Sequence, residues 1–390
     1  MDRKTTIFQW SQLLSLAVIH VMMGTFAGIL PVILPRVREE FALSLSAVTI
    51  ILATMNLVNN GTQLMIGHLR DDKSRPLLMQ IGLCIAIAIC AMNLLKGLPH
   101  SYLLLIVMAA VTGFGIAIMF PEILRAVHAL DGISPSVSSG VFMIGGNIGF
   151  TVGAWLATLL VTRFGLQGLY FFLLAPVISL TLIKSLKIRL AIESKSNDTD
   201  SSDSPGLSIW WVYAATVPYG IALLVILSLL PTWLNELGYE LTYGGQAVMI
   251  FGLGSVVGTL FWAAIAMKKG ELITTVVAIF LGLPVLCCYF VFIEHRWAVW
   301  ILFVAGLIPG SLFPLFITMA RRSGGLKLGQ RMGLIIGGVW GIASIFLMAA
   351  GYLAEYIGIG KLIMFSPAGL LISAAVCIVI MKKQRCRKSS

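Results

Sequence analysis

The chain repeatedly runs for about twenty residues without a charged side chain, the length that crosses a bilayer as a helix. "IILATMNLVNNGTQLMI" and "PLLMQIGLCIAIAICAMNLL" are two such runs, separated only by "GHLRDDKSR". In hydrocarbon no water is available to the backbone, so each run must pair its N–H and C=O groups internally. Composition agrees: 11% of residues are charged and 58% hydrophobic, where soluble domains hold about 25% and about 45–50%. An all-α integral membrane protein is expected.

Runs of this kind predict twelve transmembrane helices at 8–35, 44–69, 76–95, 101–128, 136–162, 168–187, 208–234, 244–267, 271–292, 297–320, 330–354 and 360–381. The Ser/Asp-rich "SKSNDTDSSDSPG" (194–206) is almost free of apolar side chains and reads as a linker. The organisation expected is an N-terminal six-helix half (1–190), a cytoplasmic linker (191–207), and a C-terminal six-helix half with a basic cytoplasmic tail (208–390). With the N-terminus placed in the cytoplasm, 21 of the 27 basic residues fall on the cytoplasmic side. That bias puts both termini in the cytoplasm and makes the inner (plasma) membrane the expected location. The net charge of +11 thus reports topology and contact with anionic headgroups, and no nucleic-acid partner.

The two halves repeat. "LPVILPRVREEFALSLSAV" (30–48) lies over "LPTWLNELGYELTYGGQAV" (230–248), "MFPEILRA" (119–126) over "LFPLFITM" (312–319), and "IGGNIG" (144–149) over "IGGVWG" (336–341). Both copies begin on the same side, so the repeats are parallel, an arrangement that places a substrate site between halves near the midplane.

The charged turn between helices two and three carries Gly67, Asp71 and Arg75, with Asp72 and Ser74 beside them. It resembles motif A of the major facilitator superfamily, which has glycine, three residues, aspartate, then basic residues and glycine. With twelve spans in two parallel halves, the resemblance covers the whole chain. "HVMMGTFAGILPVILPRVREEF" and "FPEILRAVHALDGISPSVSSGVFMIGGNIGFTVGAW" are similar to the fosmidomycin-resistance type of drug exporter. That type often has an acid where this chain has Gly24 and a histidine where it has Phe120, and its helix-five motif commonly ends Gly-Pro where Gly153-Ala154 stands here. The resemblance implies a gate in which Asp71 approaches the start of helix eleven, around Gln330 to Gly333, with Gly67, Arg75 and Arg125 in the same charged region. A carboxylate at a helix N-terminus is worth about 0.3–1 kcal/mol. A solvated turn that only enforces topology is the other reading.

Residues 11 to 14 positions into a span reach mid-depth at 1.5 Å per residue. These are His20, Asn56 (with Asn59 and Asn60 a turn further), Asn147 and Thr151 in the first half, and Tyr219, Ser255, Ser311 and Trp340 in the second. They are neutral, amide-rich and aromatic, without lysine or arginine, which fits a neutral, cationic or amphipathic organic solute. Each could equally be satisfied by an interhelical hydrogen bond. Two groups within spans titrate. His20, with a reference pKa of about 6.5, either couples transport to protons or holds a structural hydrogen bond. Glu122 either carries protons or pairs with Arg125 three residues on. Gly145, Gly149 and Gly153, and Gly337 with Gly341, form small-xxx-small steps for close helix packing.

No Walker A sequence, HExxH or GxSxG occurs. The expected function is therefore secondary active transport of a small organic solute by alternating access: proton-coupled efflux by a monomeric antiporter, without cofactor, metal or catalytic residues. The alternatives are an uptake carrier for a small metabolite and a transport-dead sensor or scaffold on the same fold.

Overall fold

A computed structural model describes residues 3–66, 74–130, 132–191 and 207–389. The motif residues Gly67, Asp71 and Asp72, and the 194–206 linker, lie outside the described residues.

The described chain is helical, with a single bridged pair, Ser208 and Gly324. Twelve helical passes follow one another. In the first half they are α1 (Arg3–Glu40), α2 (Leu45–Ile66), α3 (Leu77–Ala86, tightening to a 3-10 stretch Ile87–Leu95), α4 (Ser101–His128), α5 (Pro135–Ile148, a π-helical turn Gly149–Gly153, then Ala154–Phe164) and α6 (a 3-10 stretch Gly165–Leu173, then Leu174–Ser185). In the second half they are α7 (Ile209–Glu236), α8 (Leu241–Lys269), α9 (Glu271–Val291), α10 (Val299–Leu307, a tight turn Pro309–Ser311, then Phe313–Arg322), α11 (Leu328–Gly333, a π-helical turn Leu334–Gly338, then Val339–Ile357) and α12 (Ile359–Phe365 and Pro367–Ser389). Among the described residues, nine continuous helical stretches are long and apolar enough to cross a membrane, and one of them, Val137–Ser185, holds both α5 and α6. The protein is a multi-pass membrane protein.

Helix boundaries depart from the apolar runs where charge supports helix. The first run ends at residue 35, yet α1 continues to Glu40. Arg36 bonds Glu39 at 2.9 Å and Glu40 at 2.6 Å, the i+3 and i+4 neighbours that extend a helix into water. Lys96 also pairs with Glu40 and ties the end of α3 to the end of α1. Gly270 (φ +85°) makes the turn from α8 to α9, a backbone conformation that costs glycine little.

Two compact units divide the chain: Met1–Ser196 with Glu240–Gly245, and Asn197–Tyr239 with Gln246–Ser390. The same contact is built in each. In the first, a Cβ at Gly113 of α4 would collide with the Met55 carbonyl of α2. In the second, a Cβ at Gly306 of α10 would collide with the Phe251 carbonyl of α8, and one at Gly254 of α8 with the Phe303 carbonyl of α10. The second and fourth helices of each half thus meet backbone to backbone, which small residues permit.

Candidate functional site

In the first unit His20, Asn147, Thr151 and the helix-five glycines lie on α1 and α5, which pack against each other. Glycines from both helices meet there. A Cβ at Gly24 would collide with the Gly146 carbonyl, at Gly28 with the Phe150 carbonyl, at Gly149 with the Val21 carbonyl, and at Gly153 with the Thr25 hydroxyl. One at Gly145 would stand 2.6 Å from the Ala17 carbonyl. Thr25 Oγ1 donates to its own Val21 carbonyl (2.9 Å) and across to the Gly149 carbonyl at the π-helical turn (3.3 Å). Gly24, where related exporters often carry an acid, is therefore a position at which no side chain fits.

His20 is buried in this contact, 5% exposed. Its ring stacks on Phe142 (centroids 3.9 Å apart, 20° between planes) and meets Phe120 edge-on at 5.8 Å. Nδ1 lies 2.7 Å from the Phe142 carbonyl oxygen. A carbonyl only accepts, so Nδ1 carries the hydrogen. Nε2 is the nitrogen left to gain a proton, and it stands over Gly146, where a Cβ would strike it. Phe120 and Phe142 were not legible as partners of His20, because their ring contacts depend on how α4 and α5 rotate against α1.

The polar candidates divide in two. Several are consumed by backbone carbonyls. Asn60 donates to the Asn56 carbonyl at 2.7 Å, Thr151 to the Asn147 carbonyl at 2.8 Å, and Ser311 to the Leu307 carbonyl at 2.7 Å. All three are buried. Tyr219 is engaged most fully. It is fully buried and holds the break in α10: its hydroxyl donates to the Pro309 carbonyl (2.9 Å) and accepts the Leu312 amide (3.1 Å). Two prolines within "PGSLFP" were the signal for that break. Ser255 donates to the Gly310 carbonyl (3.0 Å) and Trp262 Nε1 to that of Leu307 (2.9 Å), completing the repair. Tyr219→Phe removes one donor and one acceptor from this turn. The expected result is a melting temperature in detergent a few degrees lower, from about 1–3 kcal/mol of lost stability. An unchanged melting temperature would show that the break holds without the hydroxyl.

The remaining candidates keep free surface. Asn147 is exposed. Asn56 and Asn59 are half-buried, Asn59 accepting from Gln63 at 2.9 Å. Trp340 is half-buried beside Phe313, centroids 5.2 Å apart. Gly337 is buried, but a Cβ at Gly341 would meet nothing within 4 Å. The α11 step is therefore not a packing stripe along its length, as had been expected of it.

Glu122 and Arg125 lie at the far end of α4, both buried. The Glu122 carboxylate accepts the Met79 amide at 2.8 Å. Met79 is in the first turn of α3, where N–H groups lack helical partners and the dipole favours a negative charge. The Arg125 guanidinium donates to the Ala191 carbonyl from Nε (3.1 Å) and Nη2 (2.6 Å). Ala191 N in turn donates to the Arg125 carbonyl (3.1 Å), and Leu190 N to that of Ser74 (2.9 Å). Arg75, exposed, offers its carbonyl to Leu77 at 2.8 Å as α3 begins.

A family model described as Major Facilitator Superfamily matches this helical chain over residues 16–334. The chain belongs to the major facilitator superfamily. Similar proteins within the superfamily include the fosmidomycin resistance protein of Escherichia coli (strain K12), 22% identical over 178 residues. That match covers 46% of this chain and 43% of the relative, so the chain spans less than half the length of that protein in the alignment. An MFS-type transporter of Bacillus subtilis (strain 168) is 20% identical over 89% of this chain and 87% of its own. The cyanate transport protein of Escherichia coli is 26% identical over 74% and 75%. In fold, the chain resembles a bacterial homolog to the human lysosomal transporter Spinster in its inward-facing, unoccupied conformation: TM-score 0.72, 13% identity, covering 96% of this chain and 97% of that one. As a major facilitator protein the chain is a secondary transporter of small molecules in a membrane, and not an enzyme.

Proposed function

We propose that this transporter exports a small organic solute in exchange for protons, as a monomer working by alternating access between its halves. The observation that carries the proposal is His20, a titratable ring buried near the middle of α1, bonded through Nδ1, with Nε2 facing the glycine contact. A proton arriving at Nε2 adds a donor where Gly146 offers no side chain to accept it. Protonation thus favours opening the α1–α5 contact, and the imidazolium repels a cationic solute. The half-buried or exposed Asn56, Asn59, Asn147 and Trp340 supply amides and an aromatic face for a neutral, cationic or amphipathic solute. The partial match to the fosmidomycin resistance protein supports the outward direction.

The proposal is tested by reconstituting the protein in vesicles and imposing a pH gradient. Candidate solutes should accumulate on the acidic side, and accumulation that ignores the gradient refutes proton exchange. A carrier for a small metabolite is the second reading, favoured by the match to the cyanate transport protein, which covers more of both chains than the fosmidomycin one does. The same vesicles separate the two by the direction in which the gradient drives flux.

The motif residues Gly67, Asp71 and Arg75 are assigned to the cytoplasmic gate, with both termini in the cytoplasm of a cell whose inner membrane holds the protein. A reporter fused after Ser390 should be active only as a cytoplasmic fusion. Periplasmic activity would reverse the orientation.

A further inference from the structure

The six residues after α6, 186–191, have no part in the transport reading, yet the first unit holds them closely. α6 stops at Ser185 without a glycine. Lys187 makes the turn at φ +48°, the left-handed conformation that a helix stop usually gives to glycine. Across that turn the Ile188 amide donates to the Ile183 carbonyl at 3.2 Å. A lysine in this conformation is strained, and it persists only where its surroundings fix it.

The surroundings do so from three other helices. Gln12 of α1 donates from Nε2 to the Leu186 carbonyl at 2.9 Å. Leu190 N donates to the carbonyl of Ser74, just before α3, at 2.9 Å. Ala191 N donates to the Arg125 carbonyl near the end of α4 at 3.1 Å. The Arg125 guanidinium answers with Nε and Nη2 on the Ala191 carbonyl, at 3.1 and 2.6 Å. Those two nitrogens share one edge of the planar group, so both can aim at a single oxygen. Ile188 and Leu190 are 5% and 4% exposed, so the segment also buries two apolar side chains. Two adjacent residues, Leu190 and Ala191, thus bridge the entry to α3 and the end of α4.

We propose that residues 186–191 form a clasp that fixes the start of α3 against the end of α4, with Arg125 as the positioning residue that keeps it closed. Arg125 acts through the Ala191 carbonyl, and α3, α4 and α6 then move as one body. The part the clasp plays in transport rests on the assignment of this region to the cytoplasmic gate: with the clasp open, the gate closes less well.

Hydrogen–deuterium exchange of the full-length protein in nanodiscs tests the clasp. Arg125→Ala removes the guanidinium. Leu190→Pro removes the N–H given to Ser74 and leaves Arg125 intact. Both should speed exchange about tenfold or more at residues 188–191 and in the first turn of α3, Leu77 to Gln80, with α5 as protected as in the parent. Arg125→Lys, with one flexible donor in place of the fixed edge, should restore part of the protection. The gate is read separately, from labelling of Asn147→Cys by a membrane-impermeant maleimide on the cytoplasmic side. Labelling should be several-fold faster when either Arg125→Ala or Leu190→Pro is added. Faster exchange at both segments with unchanged labelling would uphold the clasp and refute the gate assignment of this region. If Leu190→Pro leaves the first turn of α3 as protected as in the parent, or if Arg125→Ala loosens α5 as much as α3, Arg125 serves the fold at large and the proposal is overturned.

Discussion

Replacing His20 with glutamine is expected to abolish solute accumulation driven by a pH gradient while leaving downhill exchange intact. The glutamine amide can donate to the Phe142 carbonyl as Nδ1 does at 2.7 Å, so the local fold has a substitute for the lost bond. It cannot take up a proton at any working pH. With one proton exchanged per solute, the accumulation ratio of the parent should move about tenfold per pH unit, the equivalent of about 1.4 kcal/mol. In the variant the ratio should stay near one at every gradient. Solute counterflow in the same vesicles checks that the variant still binds and exchanges. A variant that still concentrates solute with the parent's pH profile would make His20 structural, a buried ring held by Phe142 and Phe120, and coupling would have to be sought at Glu122.

Gly149→Leu is expected to be the most damaging single change in the helical bundle. A Cβ at that position overlaps the Val21 carbonyl, which is backbone and cannot rotate aside. At Gly24, Gly28, Gly145 and Gly153 a Cβ would also stand 2.0–2.6 Å from the facing helix, so α1 and α5 have no room to slide into a new register. The helices must separate, and the Thr25 bond to the Gly149 carbonyl goes with the contact. Overpacking of this kind belongs to the short list of mechanisms that cost more than about 4 kcal/mol. Little monodisperse protein should survive detergent extraction. Gly140→Leu, on the same helix but with nothing within 4 Å of its Cβ direction, should extract and transport normally. Equal behaviour of the two variants would mean that α1 and α5 are not held together by the glycine contact.

What could be read in advance follows from the kind of information each feature needs. The helices and the repeat of the halves are written in runs of apolar residues and in aligned segments such as "IGGNIG" and "IGGVWG", so no coordinates were required. The lining residues were not. In Thr151, Ser311 and Asn60 each hydroxyl or amide turns back to a carbonyl of its own helix, a choice of rotamer that sequence does not encode. The partner of Tyr219 was not legible either, because it is a helix break ninety residues away. Gly24 looked like a missing acid. It is a position where two backbones touch, and the cause lies on the other helix.

The break in α10 bears on the order in which this protein is made. At Pro309–Ser311 the helix cannot satisfy its own backbone, and in lipid each unpaired group costs several kcal/mol. The donors that answer it, Tyr219, Ser255 and Trp262, all belong to α7 and α8. A ribosome delivers those helices first. When α10 leaves the translocation channel, its partners are already in the membrane. A circular permutant that begins at α9 would reverse that sequence of arrival and expose an unsatisfied helix to lipid while the chain is still being synthesised.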